Sequence, residues 1–155
     1  MTIAEKITYS TVLIRCDYTD GTSGSGTGFI INLCHDKEKG ICVPVLITNN
    51  HVVENSVKTV FDFCQADENG NPLDTVPLSF TYTGNAWIHH PNKDVDLRCL
   101  FLAEALNKLR KTDTRIFYIP LETDLIPTEQ DLADLSAIED VVMVGYPIGL
   151  SDTYN

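Results

Sequence analysis

Leu46-Ile47-Thr48-Asn49-Asn50-His51-Val52-Val53 is the stretch that decides the fold of this chain. Together with Val43 and Val45 just before it, the stretch shows the β-branched, alternating pattern of a half-buried strand that ends on a polar step. His51 follows that step and lies between two apolar segments, which would hold its imidazole in a fixed direction. Because imidazole titrates near neutral pH, a histidine held in this way is a candidate general base.

Two further patterns flank this histidine. Upstream, residues 20–26 have the composition of a turn, and Gly24-Ser25-Gly26-Thr27-Gly28-Phe29-Ile30-Ile31 leads from that turn into an apolar strand. Downstream, 43 residues past His51, lies Asp94-Val95-Asp96-Leu97. Taken in this order, the three patterns resemble the first half of a trypsin-like serine peptidase, and most closely its HtrA-like branch. The resemblance covers about residues 8–102, and residues 141–150 resemble the same branch further on.

The resemblance implies a fold, a substrate class and a pair of site residues. It implies an all-β chain: a six-stranded antiparallel β-barrel over residues 1–102, a linker with short helices over 103–137, and the opening strand of a truncated second barrel over 138–155. The substrate of the full-length protein would be a polypeptide. His51 would be the general base, and Asp94 would be the acid that orients it. Because the second barrel would be incomplete, we expect exposed apolar surface near His51 and at residues 141–144, open to self-association.

Asp96 is the rival for the orienting acid. Residues two apart on a strand share a face, so Asp94 and Asp96 would point the same way. The family pattern assigns the role to the first acid of the motif, which is Asp94. Asp96 is then expected to be a surface acid or a partner for Arg98.

The sequence contains no nucleophile motif of this family. Ser25 lies between glycines, but Ser23 and Thr27 occupy the outer positions where Gly-x-Ser-x-Gly requires glycine. Ser25 also precedes the histidine, which is the wrong order for the family. We therefore expect the chain by itself to be inactive. The alternative is a non-catalytic β-barrel that serves as a binding or assembly module.

Alternation and turn residues predict the individual elements. Six strands are expected, with a seventh beyond the barrel and short helices only after residue 102. Thr128 is a candidate helix N-cap. The six strands are predicted at 8–18, 28–33, 43–49, 56–66, 76–90 and 94–102, the helices at 103–111 and after 128, and the last strand at 139–145.

Composition excludes several classes of function. The 155 residues carry 11 Lys and Arg against 22 Asp and Glu, a formal charge of −11, which disfavours nucleic acid and anionic membranes as partners. We see neither a membrane-spanning segment nor a signal peptide. The five cysteines are odd in number and scattered, which favours reduced thiols and a cytoplasmic location. Neither Cys34-His35 with Cys42 nor the adjacent His89 and His90 has metal-site spacing, so no cofactor is expected.

Overall fold

The chain is mainly β-structure with a few short helices. The computed structural model describes residues 1–36, 38–84 and 86–146. Over these residues the strands are β1 Thr11–Tyr18, β2 Ser23–Asp36, β3 Ile41–Thr48, β4 Ser56–Ala66, β5 Pro72–Thr83, β6 Ile88–His89, β7 Arg98–Phe101, β8 Ile116–Phe117 and β9 Leu121–Glu122. The helices are α1 Ile3–Thr8, α2 Asn50–Val53, α3 Ala103–Leu109 and α4 Glu129–Ala133, with a 3₁₀ turn at Thr123–Leu125. None of the helices among these residues has the length and apolar character needed to cross a membrane.

All nine strands join one sheet. Its order is β5-β4-β1-β2-β3-β7-β6, with β8 added to β4 and β9 added in parallel to β2. The other pairs are antiparallel, so the predicted all-β class is confirmed. β5 and β6 lie at the two ends of this order, and the pairing is that of an open sheet. It therefore does not by itself show a closed six-stranded barrel.

The predicted strands agree with the structure best where apolar alternation is strongest. β3 includes the predicted segment up to Thr48, and β4 has the predicted bounds. The prediction that helices occur only after residue 102 was wrong, because α1 and α2 precede it. α1 begins with a capping box in which Thr2 and Glu5 each accept a hydrogen bond from the other's backbone N–H, a pattern visible in the sequence.

A single hydrophobic core lies against the sheet. Phe61 is its largest fully buried side chain, and the rings of Phe63, Phe80 and Tyr82 pack around Phe61 with centroids 5.5–5.8 Å from it. The buried members come from five strands, from α2 and from the segments beside β6 and β7. They are Val12, Ile14, Cys16, Ile30, Leu46, Val52, Val53, Phe61, Phe63, Trp87, Leu100 and Leu102.

The glycine-rich segment is a strand, not the turn predicted up to residue 26. β2 begins at Ser23, and its glycines alternate along the strand face that meets other side chains. A Cβ at Gly24 would lie 2.8 Å from the Tyr18 hydroxyl, and one at Gly26 would lie 2.6 Å from both Val52 methyl groups. These residues are glycines because neighbouring side chains occupy the space of a Cβ.

The strand predicted at 139–145 is absent. Residues 139–144 form neither strand nor helix, and Val141, Val142 and Met143 are 88–93% exposed. The expectation of exposed apolar surface in this segment is therefore confirmed. The chain returns to the sheet beyond it, where the Tyr146 N–H donates to Thr27 Oγ1 at 2.8 Å. The part of the predicted second-barrel opening at 147–155 lies outside the described residues.

We predict that Gly26→Ala destabilises the fold by about 1–3 kcal/mol, because the added methyl group overlaps the stiff, buried Val52 side chain. Denaturant unfolding measures the change. Ser25→Ala, on the exposed side of the same strand, is the matched control and should change the free energy of unfolding by less than about 0.5 kcal/mol. Val52→Ala should cost less in the Gly26→Ala background than alone. Additive effects of the two substitutions would contradict the overlap.

Candidate active site

His51 is held by the short helix α2. β3 ends at Thr48, Asn49 is the N-cap, and α2 then carries Val52 and Val53 into the core. The Tyr18 hydroxyl donates to the Val52 carbonyl oxygen at 2.9 Å and fixes the end of this turn. With the following valines buried, His51 is directed outward, and its side chain is 70% exposed.

The Asp96 carboxylate holds the His51 ring and the His51 backbone together. Asp96 Oδ2 lies 2.6 Å from His51 Nδ1, and Asp96 Oδ1 accepts the His51 N–H at 3.0 Å. The Asn49 amide donates to Asp96 Oδ2 at 3.3 Å and to its carbonyl oxygen at 3.2 Å. An ionised carboxylate can only accept, so Nδ1 carries the proton of the neutral ring and Nε2 keeps its lone pair. No side chain of the described residues lies within hydrogen-bond distance of Nε2.

The prediction that Asp94 orients His51 was wrong. β3 and β7 pair so that Thr48 lies opposite Arg98. The same register continues two residues beyond this pair, where the Asn50 N–H donates to the Asp96 carbonyl oxygen at 3.2 Å. This bond brings Asp96 beside His51. Asp94 lies further along the turn, where its N–H donates to Asn92 Oδ1 and its side chain is exposed.

Hydrogen bonding to the carboxylate stabilises its charge. The bond from the His51 ring is the main cause that lowers the pKa of Asp96 below its usual 3.8, and partial desolvation opposes it. The His51 N–H and the Asn49 amide lower the pKa further. Asp96 is therefore ionised at neutral pH and accepts the hydrogen bond from His51 Nδ1. This bond fixes the tautomer in which Nε2 is the unprotonated, basic nitrogen.

Sequence reasoning missed Asn49, Asn50 and Arg98. Arg98 was considered only as a partner for Asp96, but its Nε donates instead to Asn50 Oδ1 at 2.7 Å. Asn50 thus bonds Asp96 through its backbone and Arg98 through its side chain. The signal was the polar Thr-Asn-Asn step at the end of a buried strand, because asparagine side chains at such ends often bond neighbouring backbone and side-chain groups.

Other residues with reactive side chains lie away from this pair. Ser25 is exposed on β2 opposite Arg15 and forms no hydrogen bond with His51. Cys99 is half-buried on β7, and burial raises the pKa of its thiol. Within the described residues, no three His, Cys, Asp or Glu side chains are grouped as metal ligands. The side chains of Cys34 and His35 lie outside that description.

Comparison with known proteins adds no relative. No family model matches the chain, and neither a curated protein nor a solved structure matches it. The chemistry of the site therefore rests on its geometry: an exposed imidazole, a carboxylate on Nδ1 and a free lone pair on Nε2.

We predict that Asp96 titrates below pH 3.8 and that His51→Ala raises its pKa towards that value, because the ring hydrogen bond is lost. Because the folded-state pKa is lowered, the Asp96 carboxylate contributes stability above about pH 4, and this contribution is lost as pH falls through the folded-state pKa. Carboxyl NMR resonances followed against pH measure the shift. Asp94→Asn is the matched control and should leave the Asp96 titration unchanged. An Asp96 titration that is the same with and without the His51 ring would contradict the pairing.

Proposed function

We propose that this chain is the amino-terminal part of a trypsin-like serine endopeptidase, in which His51 is the general base and Asp96 orients it. The observation that carries the proposal is the 2.6 Å contact between Asp96 Oδ2 and His51 Nδ1, with Nε2 turned outward and free. The order of the glycine-rich strand, the histidine and the acid is also that of the family, although Asp96 is the second acid of the motif and the family pattern uses the first.

In this mechanism His51 Nε2 takes the proton of a serine hydroxyl as that oxygen attacks the scissile carbonyl carbon. The imidazolium that forms is stabilised by Asp96, which is ionised and already bonded to Nδ1. Nε2 then gives the proton to the leaving amine, and the acyl group stays on the serine until water removes it. Asp96 keeps its negative charge throughout, which agrees with its lowered pKa.

The proposal assigns the serine to a second barrel that would cover the open side of His51. No hydroxyl of the described residues lies within hydrogen-bond distance of Nε2, so on this proposal the nucleophile lies outside those residues. The exposed apolar strip formed by Val141, Val142 and Met143 supports a covering domain, because exposed apolar surface is costly in water. Thr27 holds the chain at Tyr146 just beyond that strip, close to the sheet that carries the site.

We propose the finer fold on the same basis. Residues 1–102 would form the first six-stranded barrel, 103–137 the linker and 138–155 the start of the second barrel. Support comes from the core, in which β1, β2, β3, β4 and β7 contribute to one cluster with Phe80 and Tyr82 of β5 packed against it. Sharing of one core by both halves of a sheet is typical of a sheet that curls towards closure.

The alternative proposal is a non-catalytic β-barrel that binds or assembles with a partner. The observation that favours it is the exposed Nε2, which has no hydroxyl to deprotonate within the described part of the chain. In that case the His51–Asp96 pair would be a structural clamp on the β3–α2 turn. Loss of a structural clamp would change thermal stability, whereas loss of a catalytic pair would change activity, so experiment can separate the two.

We predict that the 155-residue chain alone neither reacts with a fluorophosphonate serine probe nor cleaves casein, whereas a polypeptide that continues through a serine loop does both. In that longer polypeptide, Asp96→Asn should lower kcat/KM by about 10⁴-fold, because the ring loses the correct tautomer. Asp94→Asn is the matched control and should retain activity within about threefold.

Two results would contradict the proposal. One is equal activity of the Asp96→Asn and Asp94→Asn proteins, which would leave Asp96 without a catalytic role. The other is a reading frame that ends without a serine loop, with Asp96→Asn changing only thermal stability; this result would favour the binding module. Labelling of the 155-residue chain that is lost in His51→Ala would instead place the nucleophile within it, at Ser25 or Ser151.

A further inference from the structure

A cavity of about 430 Å³ lies beside Arg98 and opens to solvent. Its volume is within the range of small-molecule sites, about 300–1,000 Å³. It is formed where the turn after α2 meets β4, the end of β5 and the β6–β7 pair. Its lining residues are Val53, Asn55, Ser56, Val57, Gly84, Trp87, His89 and Arg98.

Arg98, one of the residues that line the cavity, is a buried cation without a counter-ion among the described residues. The residue is 9% exposed, and its recorded hydrogen bond is the one from Nε to Asn50 Oδ1 at 2.7 Å. Among the described residues, no carboxylate lies within ion-pair distance of its guanidinium, and none of the lining residues is acidic. A guanidinium has five N–H donors, so the bond from Nε leaves the four Nη donors available for a ligand. Burial of a charge is costly unless a counter-charge or a polar ligand compensates it.

His89 adds a second donor beside Arg98. The two residues are directly opposite each other on β6 and β7, so their side chains lie on the same face of the sheet, and both line the cavity. The His89 imidazole can donate a hydrogen bond to an anion held at Arg98. In a chain of net charge −11, a buried arginine with no acidic residue among the lining residues marks a specific site rather than a general attraction for anions.

The remaining wall is largely apolar. Val53 is buried and Val57 is 48% exposed, which leaves the Val57 methyl groups accessible at the opening. The Trp87 indole N–H lies 3.4 Å from Thr59 Oγ1, so the polar atom of that ring is directed into the protein and Trp87 offers the cavity apolar surface. The cavity therefore combines one cationic end with a wall suited to a compact hydrocarbon group.

We propose that this cavity binds a small organic anion, namely a carboxylate on a compact aromatic or aliphatic body. The carboxylate accepts hydrogen bonds from the free Nη groups of Arg98, with His89 beside it, and the body packs on Val57 and Trp87. A planar guanidinium matches a carboxylate through two parallel hydrogen bonds, which makes this ligand class a better fit than a neutral amide. The inference does not depend on the proposed peptidase function.

Titration of the ¹⁵N-labelled chain with benzoate, followed by amide and indole NMR shifts, tests the inference. Benzamide is the neutral ligand of the same shape and should bind at least about 10-fold more weakly, because it lacks the charge that Arg98 recognises. Arg98→Met should weaken benzoate binding by about 10- to 100-fold. Arg110→Met removes the same charge at an exposed position and should leave binding unchanged.

Val57→Glu is a second variant, in case Arg98→Met fails to fold. It places a carboxylate in the cavity opening and should also weaken benzoate binding about 10-fold, while the exposed strand position tolerates the change. Shifts centred on Trp87, His89 and Arg98 that follow this order support the site. Equal binding of benzoate and benzamide would show an apolar cavity only and would overturn the proposal. So would benzoate shifts that are absent, or that persist in both Arg98→Met and Val57→Glu.

Discussion

The register between β3 and β7 is the constraint on which the site depends. Val45, Leu46, Ile47 and Thr48 pair with the residues of β7 in unbroken antiparallel order, and the buried Leu46 and Leu100 lie opposite each other at its centre. A shift by one residue would move the buried Leu46 and Leu100 to opposite faces of the sheet from those they occupy, so burial of these side chains fixes the register. Because the chain leaves β3 at the same end of the pair at which it enters β7, the residues just beyond that end are brought together. Those residues are His51 and Asp96.

The glycine-rich part of β2 is the second constraint, because its missing side chains leave room for residues of neighbouring elements. α2 can bring Val52 down onto the sheet only because Gly26 has no side chain, and Tyr18 can reach over Gly24 to bond the Val52 carbonyl oxygen. α2 has only four residues, and its propensity alone would not keep it folded. Its position, and with it the direction of His51, is therefore determined by packing on β2.

The sequence predicted these constraints unequally. Alternating β-branched residues located β3 and β4, and the polar step located His51, because these signals are local. The choice between Asp94 and Asp96 is not local, since it depends on which acid the β3–β7 register brings opposite Asn50. The glycines of β2 predict a turn by propensity, and only the tertiary contacts of Tyr18 and Val52 make them a strand. The segment at 139–144 has strand-like residues but no neighbouring strand to pair with in the described part of the chain.

Asn50 links the two features that lie at this end of the sheet. Its backbone N–H donates to the Asp96 carbonyl oxygen, and its side-chain oxygen accepts from Arg98 Nε at 2.7 Å. A ligand that draws the Arg98 guanidinium further into the cavity would pull on the same residue that sets the position of Asp96. Asn50 therefore contacts both the arginine of the cavity and the acid that holds His51.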